Sequence, residues 1–253
     1  MNAVPPTVPA RVRTRLRAAV RRPARLTPEE TRDRALVLRL LSLALQYPDA
    51  ELAAARPTVL AAVRALPPSP AATELAAFTT WFAEQDPQTL ERHYVETFDL
   101  RRRSSLYLTY YLHGDTRRRG MALLTLARRY QAAGWDMSGG ELPDHLPVVL
   151  EFAALAGTGA GEAPLRQHRR GLDLIHRALE SAGSPYRHVL AALLTLLPLP
   201  SRADEEAVTK LAAEGPPNED VGLDPYGHGE FAPPDAFVPP PPAPPASRPE
   251  GAR

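Results

Sequence analysis

Cysteine is absent from this 253-residue chain and lysine nearly so, Lys210 being the sole lysine among 30 basic residues. Without thiols the chain forms no disulfide, has no thiolate nucleophile and cannot hold zinc or an iron-sulfur cluster through sulfur. Any metal site would need histidine and carboxylates alone. Charge of one sign is also lacking: the formal net charge is +1. The arginine-for-lysine bias therefore reads as a GC-rich genome rather than a nucleic-acid partner, and none is expected. Long hydrophobic runs are missing too. The longest, Ala35 to Leu45, spans 11 residues and is interrupted by Arg39, against the roughly 20 that a bilayer requires. It predicts a buried core helix and no stable membrane insertion. No phosphate loop, G-x-G-x-x-G, G-x-S-x-G or regular repeat occurs, so the common signatures of nucleotide and acyl chemistry are absent.

What is present is enough apolar sequence, 44% of residues, to bury one sizeable core. Residues 1–26 carry seven arginines and no acid. The "TPEETRDR" that follows is charged where an export signal needs an apolar stretch, so a flexible basic arm and a cytoplasmic protein are expected. Residues 214–253, ending in "FVPPPPAPPASRPEGAR", are too rich in proline to pack a core and read as an extended tail. A proline-recognition ligand is the alternative to an inert tail there.

Between these ends, residues 27–213 read as a single all-α globular domain of about eight or nine helices, with no alternating strand pattern. Thr27-Pro28-Glu29-Glu30 forms a helix start with a capping box. A break is expected near Pro57. Leu90, Tyr94 and Phe98 share a stripe. Asp115 is expected to cap a helix with Leu123, Leu126 and Tyr130 inward and Gly134 at its end. The segment "LPDHLPVVLEFAALA" is apolar on two faces and should be buried on both.

Three groups of residues could carry function. Glu141, Asp144 and His145 lie within five residues, and with His113 and Asp115 they supply the types that ligate hard metals or move protons. They raise the alternative of a metal-dependent phosphoester or nucleotide hydrolase. The spacing argues against it: a zinc helix needs two histidines one turn apart, whereas Glu141 precedes Pro143 and only Asp144 and His145 enter the helix. A carboxylate there is favoured by the free N–H groups of a helix start whatever the function. The triplets Arg101 to Arg103 and Arg117 to Arg119 could grip an anion or simply pair with Glu96, Asp99 and Asp115. Tyr94, Tyr107, Tyr110, Tyr111 and Tyr130 suit either a core or a groove that receives a helical peptide.

Three stretches, "YVETFDL" (94–100), "LYLTYYLHGDTRRRG" (106–120) and "ELPDHLPVVLEFAA" (141–154), occur in an order and separation that strongly resembles the assembly chaperones of respiratory nitrate reductase, the NarJ or delta-subunit family. The last stretch also resembles the E-x-x-D-H segment of the wider molybdoenzyme-chaperone superfamily. The resemblance covers 94–154 closely and the flanking helices more loosely. It implies an all-helical cytoplasmic chaperone, not an enzyme, that binds the apo form of the catalytic alpha subunit, including its N-terminal segment. It would assist insertion of molybdenum bis-guanine-dinucleotide into that client without stably binding a cofactor, and its contacts could extend to the alpha-beta complex. On that basis the partner-binding residues are expected to be Tyr94, Glu96, Asp99, Tyr107, Tyr110, Tyr111, Asp115, Glu141, Asp144 and His145. The acidic members would complement a basic amphipathic peptide and His145 would tune binding with pH. The basic arm and the proline-rich tail have no counterpart in the family pattern.

Overall fold

Side-chain caps, more than propensity, decide where the helices begin. Thr27 accepts from the Glu30 N–H while Glu30 returns a bond to the Thr27 N–H, the expected capping box. Asp49, Ser69 and Asp86 cap the next three helices from their own N-cap positions. The computed structural model describes residues 26–137 and 140–215, and every regular element within them is helical. In chain order these are α1 (Pro28–Ala44), α2 (Ala50–Arg64), α3 (Pro70–Glu84), α4 (Pro87–Tyr94), α5 (Leu108–His113), α6 (Arg117–Ala132), α7 (Leu146–Ala156), α8 (Ala163–Gln167), α9 (Arg169–Ser181), α10 (Arg187–Thr195) and α11 (Arg202–Glu214). A π turn, Val95–Asp99, prolongs α4, and a 3-10 turn, Arg102–Ser104, precedes α5. The expected basic arm, apart from Leu26, and the expected tail beyond Gly215 lie outside the described residues.

The all-α expectation holds, but the eleven helices among the described residues exceed the eight or nine read from the sequence. One reason is local. The apolar pattern from Pro164 to Ala182 runs on without a breaker, yet the structure divides it at His168, whose ring Nδ1 lies 2.8 Å from the Pro164 carbonyl and whose backbone leaves helical geometry. The break expected at Pro57 does not occur, and α2 runs through it. Proline removes the N–H that would have bonded the Ala53 carbonyl. Arg56 Nε donates to that carbonyl instead, at 3.2 Å, while its Nη1 donates to Gln85 O at 2.7 Å and so ties α2 to the end of α3. Arg56→Ala leaves these carbonyls without their donor, and a loss of about 1–3 kcal/mol is expected in urea unfolding. A change within 0.3 kcal/mol, about the noise of such comparisons, would mean water replaces the guanidinium without cost.

The core forms where α1 lies against α7 and α10 against α3. Leu41, Leu45, Val149, Leu150, Leu190 and Leu193 lose all contact with solvent there. Tyr186 sits at its centre, its ring 4.8–6.1 Å from those of Phe78, Trp81, His93, Tyr94 and Phe98. Trp81, Tyr94 and Phe98 meet it edge-on and Phe78 tilted, as aromatic quadrupoles prefer, while the His93 ring stacks on it. The α7 helix is buried on two sides, as its pattern predicts. One face enters this core, and Phe152 on the other joins Leu126 and Tyr130 of α6 in a smaller cluster closed by Trp135, Met137 and Val148. The α6 helix buries only Leu126 and Tyr130; Leu123, expected inward, is half-buried, and Met121 is exposed.

Candidate functional site

The starts of α5 and α7 meet side by side, and the candidate site is built on that junction. Leu108 N–H donates to the Asp144 carbonyl at 3.0 Å and Leu146 N–H to the Leu106 carbonyl at 2.8 Å. Tyr107 and His145 thereby form an isolated antiparallel bridge, the nearest approach to a strand among the described residues. Asp144 does cap a helix, but not the one it leads into. Its Oδ2 accepts from Thr109 N–H at 3.1 Å and from the Thr109 hydroxyl, so it caps α5 from across the bridge. His145 is the N-cap of α7 and makes no side-chain cap bond.

Arg119 completes the network. Its guanidinium lies 3.9 Å from Asp144 Oδ2, donates to Asp115 Oδ1 at 3.0 Å and sits 5.8 Å from the Tyr107 ring centroid. Asp115 thus acts through this i, i+4 pair, whereas the N-cap of α6 is Thr116, whose hydroxyl makes no capping bond and donates back to the His113 carbonyl. This corrects the expectation that Asp115 caps α6. Behind the bridge, Tyr130 Oη donates to the Pro143 carbonyl at 2.7 Å and fixes the "ELPDH" turn to α6. Gly114, with φ of 57°, ends α5 in a backbone region that side chains disfavour and lets the chain turn toward α6.

The ten expected partner residues separate into four settings. Asp99 and Glu141 are exposed beside half-buried Tyr107 and His145, whose rings lie 5.2 Å apart. Both carboxylates act electrostatically on Tyr107 and His145, so one acidic strip contains all four. Asp144 and Asp115 support it from behind and beside, Asp144 with no accessible surface at all. Tyr94 is a core residue whose hydroxyl donates to Leu45 O at 3.0 Å, and Glu96 acts on His93. Tyr110 and Tyr111 face away toward α9. Tyr111 is buried and donates to Ser105 O at 2.8 Å, and half-buried Tyr110 borders a separate arginine-lined cleft. A Cβ on Gly171 would meet the Tyr111 ring at 3.2 Å, so glycine there lets α9 approach. Arg119 and Thr109 were missed as site residues in the sequence. The i, i+4 spacing of Asp115 and Arg119 was the available signal for the first; Thr109 gave none.

Burial pushes the His145 imidazole below its ordinary pKa of 6.5, against the opposing pull of Glu141, Asp144 and Asp99. Burial does the same to His93 and His168. All three are depressed on folding, so their contribution to stability is complete above about pH 6.5 and is lost as pH falls through their folded pKa values. The urea midpoint is expected to stay level from pH 8 to 7 and to fall between 6.5 and 5, with His168→Gln flattening the fall. A level midpoint down to pH 5 would contradict buried neutral histidines.

These groups can position, but they are poorly placed to catalyse. Asp144 is committed to Thr109 and sealed from solvent, so it reaches no substrate. Among the described residues no three histidine, aspartate or glutamate side chains converge on a metal position, and no helix is long and apolar enough to cross a membrane.

Residues 65–192 match the family model described as nitrate reductase delta subunit. The chain belongs to this family. Among relatives of the delta-subunit chain, the probable nitrate reductase molybdenum cofactor assembly chaperone NarJ of Bacillus subtilis is 34% identical over 167 residues, covering 66% of this chain and 91% of that protein. The corresponding Escherichia coli K12 chaperone NarJ is 31% identical over 187 residues, covering 73% and 79%. The nitrate reductase-like protein NarX of Mycobacterium tuberculosis is 39% identical over 158 residues, 62% of this chain. The chain spans only 24% of that longer protein's length. A crystal structure described as a candidate redox enzyme maturation protein from Archaeoglobus fulgidus shares the delta-subunit fold, with a TM-score of 0.51 at 22% identity over 69% of this chain and 98% of that one.

Proposed function

We propose that the chain is an assembly chaperone for a respiratory nitrate reductase, holding the apo catalytic alpha subunit while molybdenum bis-guanine-dinucleotide is inserted. The family membership supports the client, and the NarJ relatives carry molybdenum cofactor assembly in their names. The observation that carries the binding mode is the acidic strip. Asp99 and Glu141 flank the Tyr107 and His145 rings, and each is followed by an exposed leucine, Leu100 at 72% and Leu142 at 40% exposure. Carboxylates beside exposed apolar groups suit a basic amphipathic segment, the chemistry proposed for the N-terminal peptide of the alpha subunit. The protein would act in the cytoplasm, where that subunit folds before docking.

Calorimetric titration with a peptide copying that N-terminus is the direct test. One-to-one binding at micromolar affinity or tighter is expected, and it should weaken as salt is raised. Asp99→Lys with Glu141→Lys should weaken it about tenfold or more, since both sites are exposed and like charge now faces the peptide. Equal affinity in the variant would remove the strip from the binding surface. No binding by the unaltered chain would move recognition to the folded apo subunit.

A further inference from the structure

A cleft lies away from the acidic strip, between the 3-10 turn, α5, α9 and α11. It has a volume of about 650 Å³ and an apolar floor that includes Leu174, Ala178 and Leu211. Its wall is basic. Arg101, Arg102, Arg103 and Arg177 all line it, and all are exposed. Tyr111 holds this wall rigid by donating to the carbonyls of Arg103 and Ser105. Four arginines lining one cleft with an apolar floor fit an anionic segment that also carries apolar side chains.

The chain itself supplies such a segment. Ala212, Ala213 and Gly215 already line the cleft, so residues from Pro216 onward start at its edge. From Pro216 to Ser247 the sequence carries five acids, Glu219, Asp220, Asp224, Glu230 and Asp235, and no arginine or lysine. Val221, Leu223, Tyr226, Phe231 and Phe237 are interspersed among them. Glu219 and Asp220 follow Gly215 by four and five residues, at most roughly 14–18 Å of extended chain, which is within reach of the arginine wall.

We propose that the acidic stretch 219–237 of this chain is the resident occupant of the arginine cleft. It neutralises the four guanidinium groups and places its apolar residues on the floor between α9 and α11. Because the two are tethered, contacts too weak to form between separate molecules become populated, at an effective concentration in the millimolar range. The inference does not depend on which client the chaperone holds.

The absence of cysteine makes the test direct in the full chain. Ser181→Cys places one thiol in the cleft wall, and Val221→Cys places the other in the tail. The control pairs Val221→Cys with Thr209→Cys, an exposed α11 position that does not line the cleft and is nearer in sequence. A random tail would favour Thr209→Cys. In a glutathione redox buffer the Ser181→Cys pair is expected to close about tenfold faster than the control, at a rate independent of protein concentration. Adding Glu219→Lys, Asp220→Lys and Asp224→Lys should abolish the preference. Equal rates for the two pairs, or a preference that survives charge reversal, overturns the proposal. A rate that rises with protein concentration also overturns it, in favour of a second copy's tail as occupant.

Discussion

Asp144→Ala is expected to unfold about 2–4 kcal/mol more easily than the unaltered chain. The substitution removes the cap of α5, worth about 0.5–2 kcal/mol at an ordinary N-cap. It also leaves the Thr109 donors and part of the Arg119 charge without their acceptor in a solvent-free setting. For a domain of this size that corresponds to a fall in Tm of about 6–12 °C. Asp144→Asn keeps the volume and one acceptor oxygen and should lose roughly half as much. The pair separates position from contact: because Asp144 has no accessible surface, peptide affinity measured at 10 °C on folded protein should be nearly kept in Asp144→Asn. In Asp144→Ala the bridge between Tyr107 and His145 loosens and affinity should fall. A stability change under 1 kcal/mol for the alanine variant would show that the bridge, not the carboxylate, holds the two helix starts together.

Glu162→Ala should be the second costly change, and it lies far from the candidate site. Glu162 is 3% exposed. Arg34 Nε and Nη2 donate to its two oxygens at 2.5 and 2.9 Å, and Arg166 approaches at 3.3 Å. Arg34 also donates to the Leu196 carbonyl, so the Arg34–Glu162 pair ties α1 to the start of α8 and the end of α10. Removing one member of a buried pair typically costs about 3–5 kcal/mol, because the partner charge stays behind without compensation. Arg34 and Arg166 retain some solvent contact, 21% and 35%, which screens them and places the expectation near the low end, about 3 kcal/mol. Urea unfolding reads it directly. If Glu162→Ala and Arg34→Ala together cost no more than either alone, the two act as one unit; full additivity would mean that they stabilise independently.

Helix type and caps were legible from sequence because they are local. Thr27 with Glu30, Asp49, Ser69 and Asp86 cap within three residues of themselves, and the two-sided burial of α7 follows from period alone. The two misread helix breaks turn on side-chain bonds to backbone carbonyls. Pro57 reads as a breaker until Arg56 is seen donating to the orphaned carbonyl, and the stretch around His168 reads as continuous helix until its ring is seen bonding Pro164. At Pro57 a side chain substitutes for the missing backbone donor, and at His168 the ring joins the backbone N–H on the same Pro164 carbonyl; periodicity reports neither. The candidate site divides the same way. Asp99, Glu141, Tyr107 and His145 could be picked by residue type, but nothing in "ELPDH" indicated that Asp144 would cap a helix 35 residues earlier in the chain.

The sequence by itself determined the helical class, the absence of sulfur chemistry and, through three ordered stretches, the delta-subunit family. Each of these depends on composition or on neighbours in the chain, where spacing and chemistry are already fixed. Only the tertiary structure decided that Tyr94 belongs to the core around Tyr186, that Tyr107 and His145 lie as neighbours, and that the arginines at 101–103 face a cleft. Those outcomes depend on which helix faces pack together, and every amphipathic helix offers several acceptable packings until burial of all of them at once selects one.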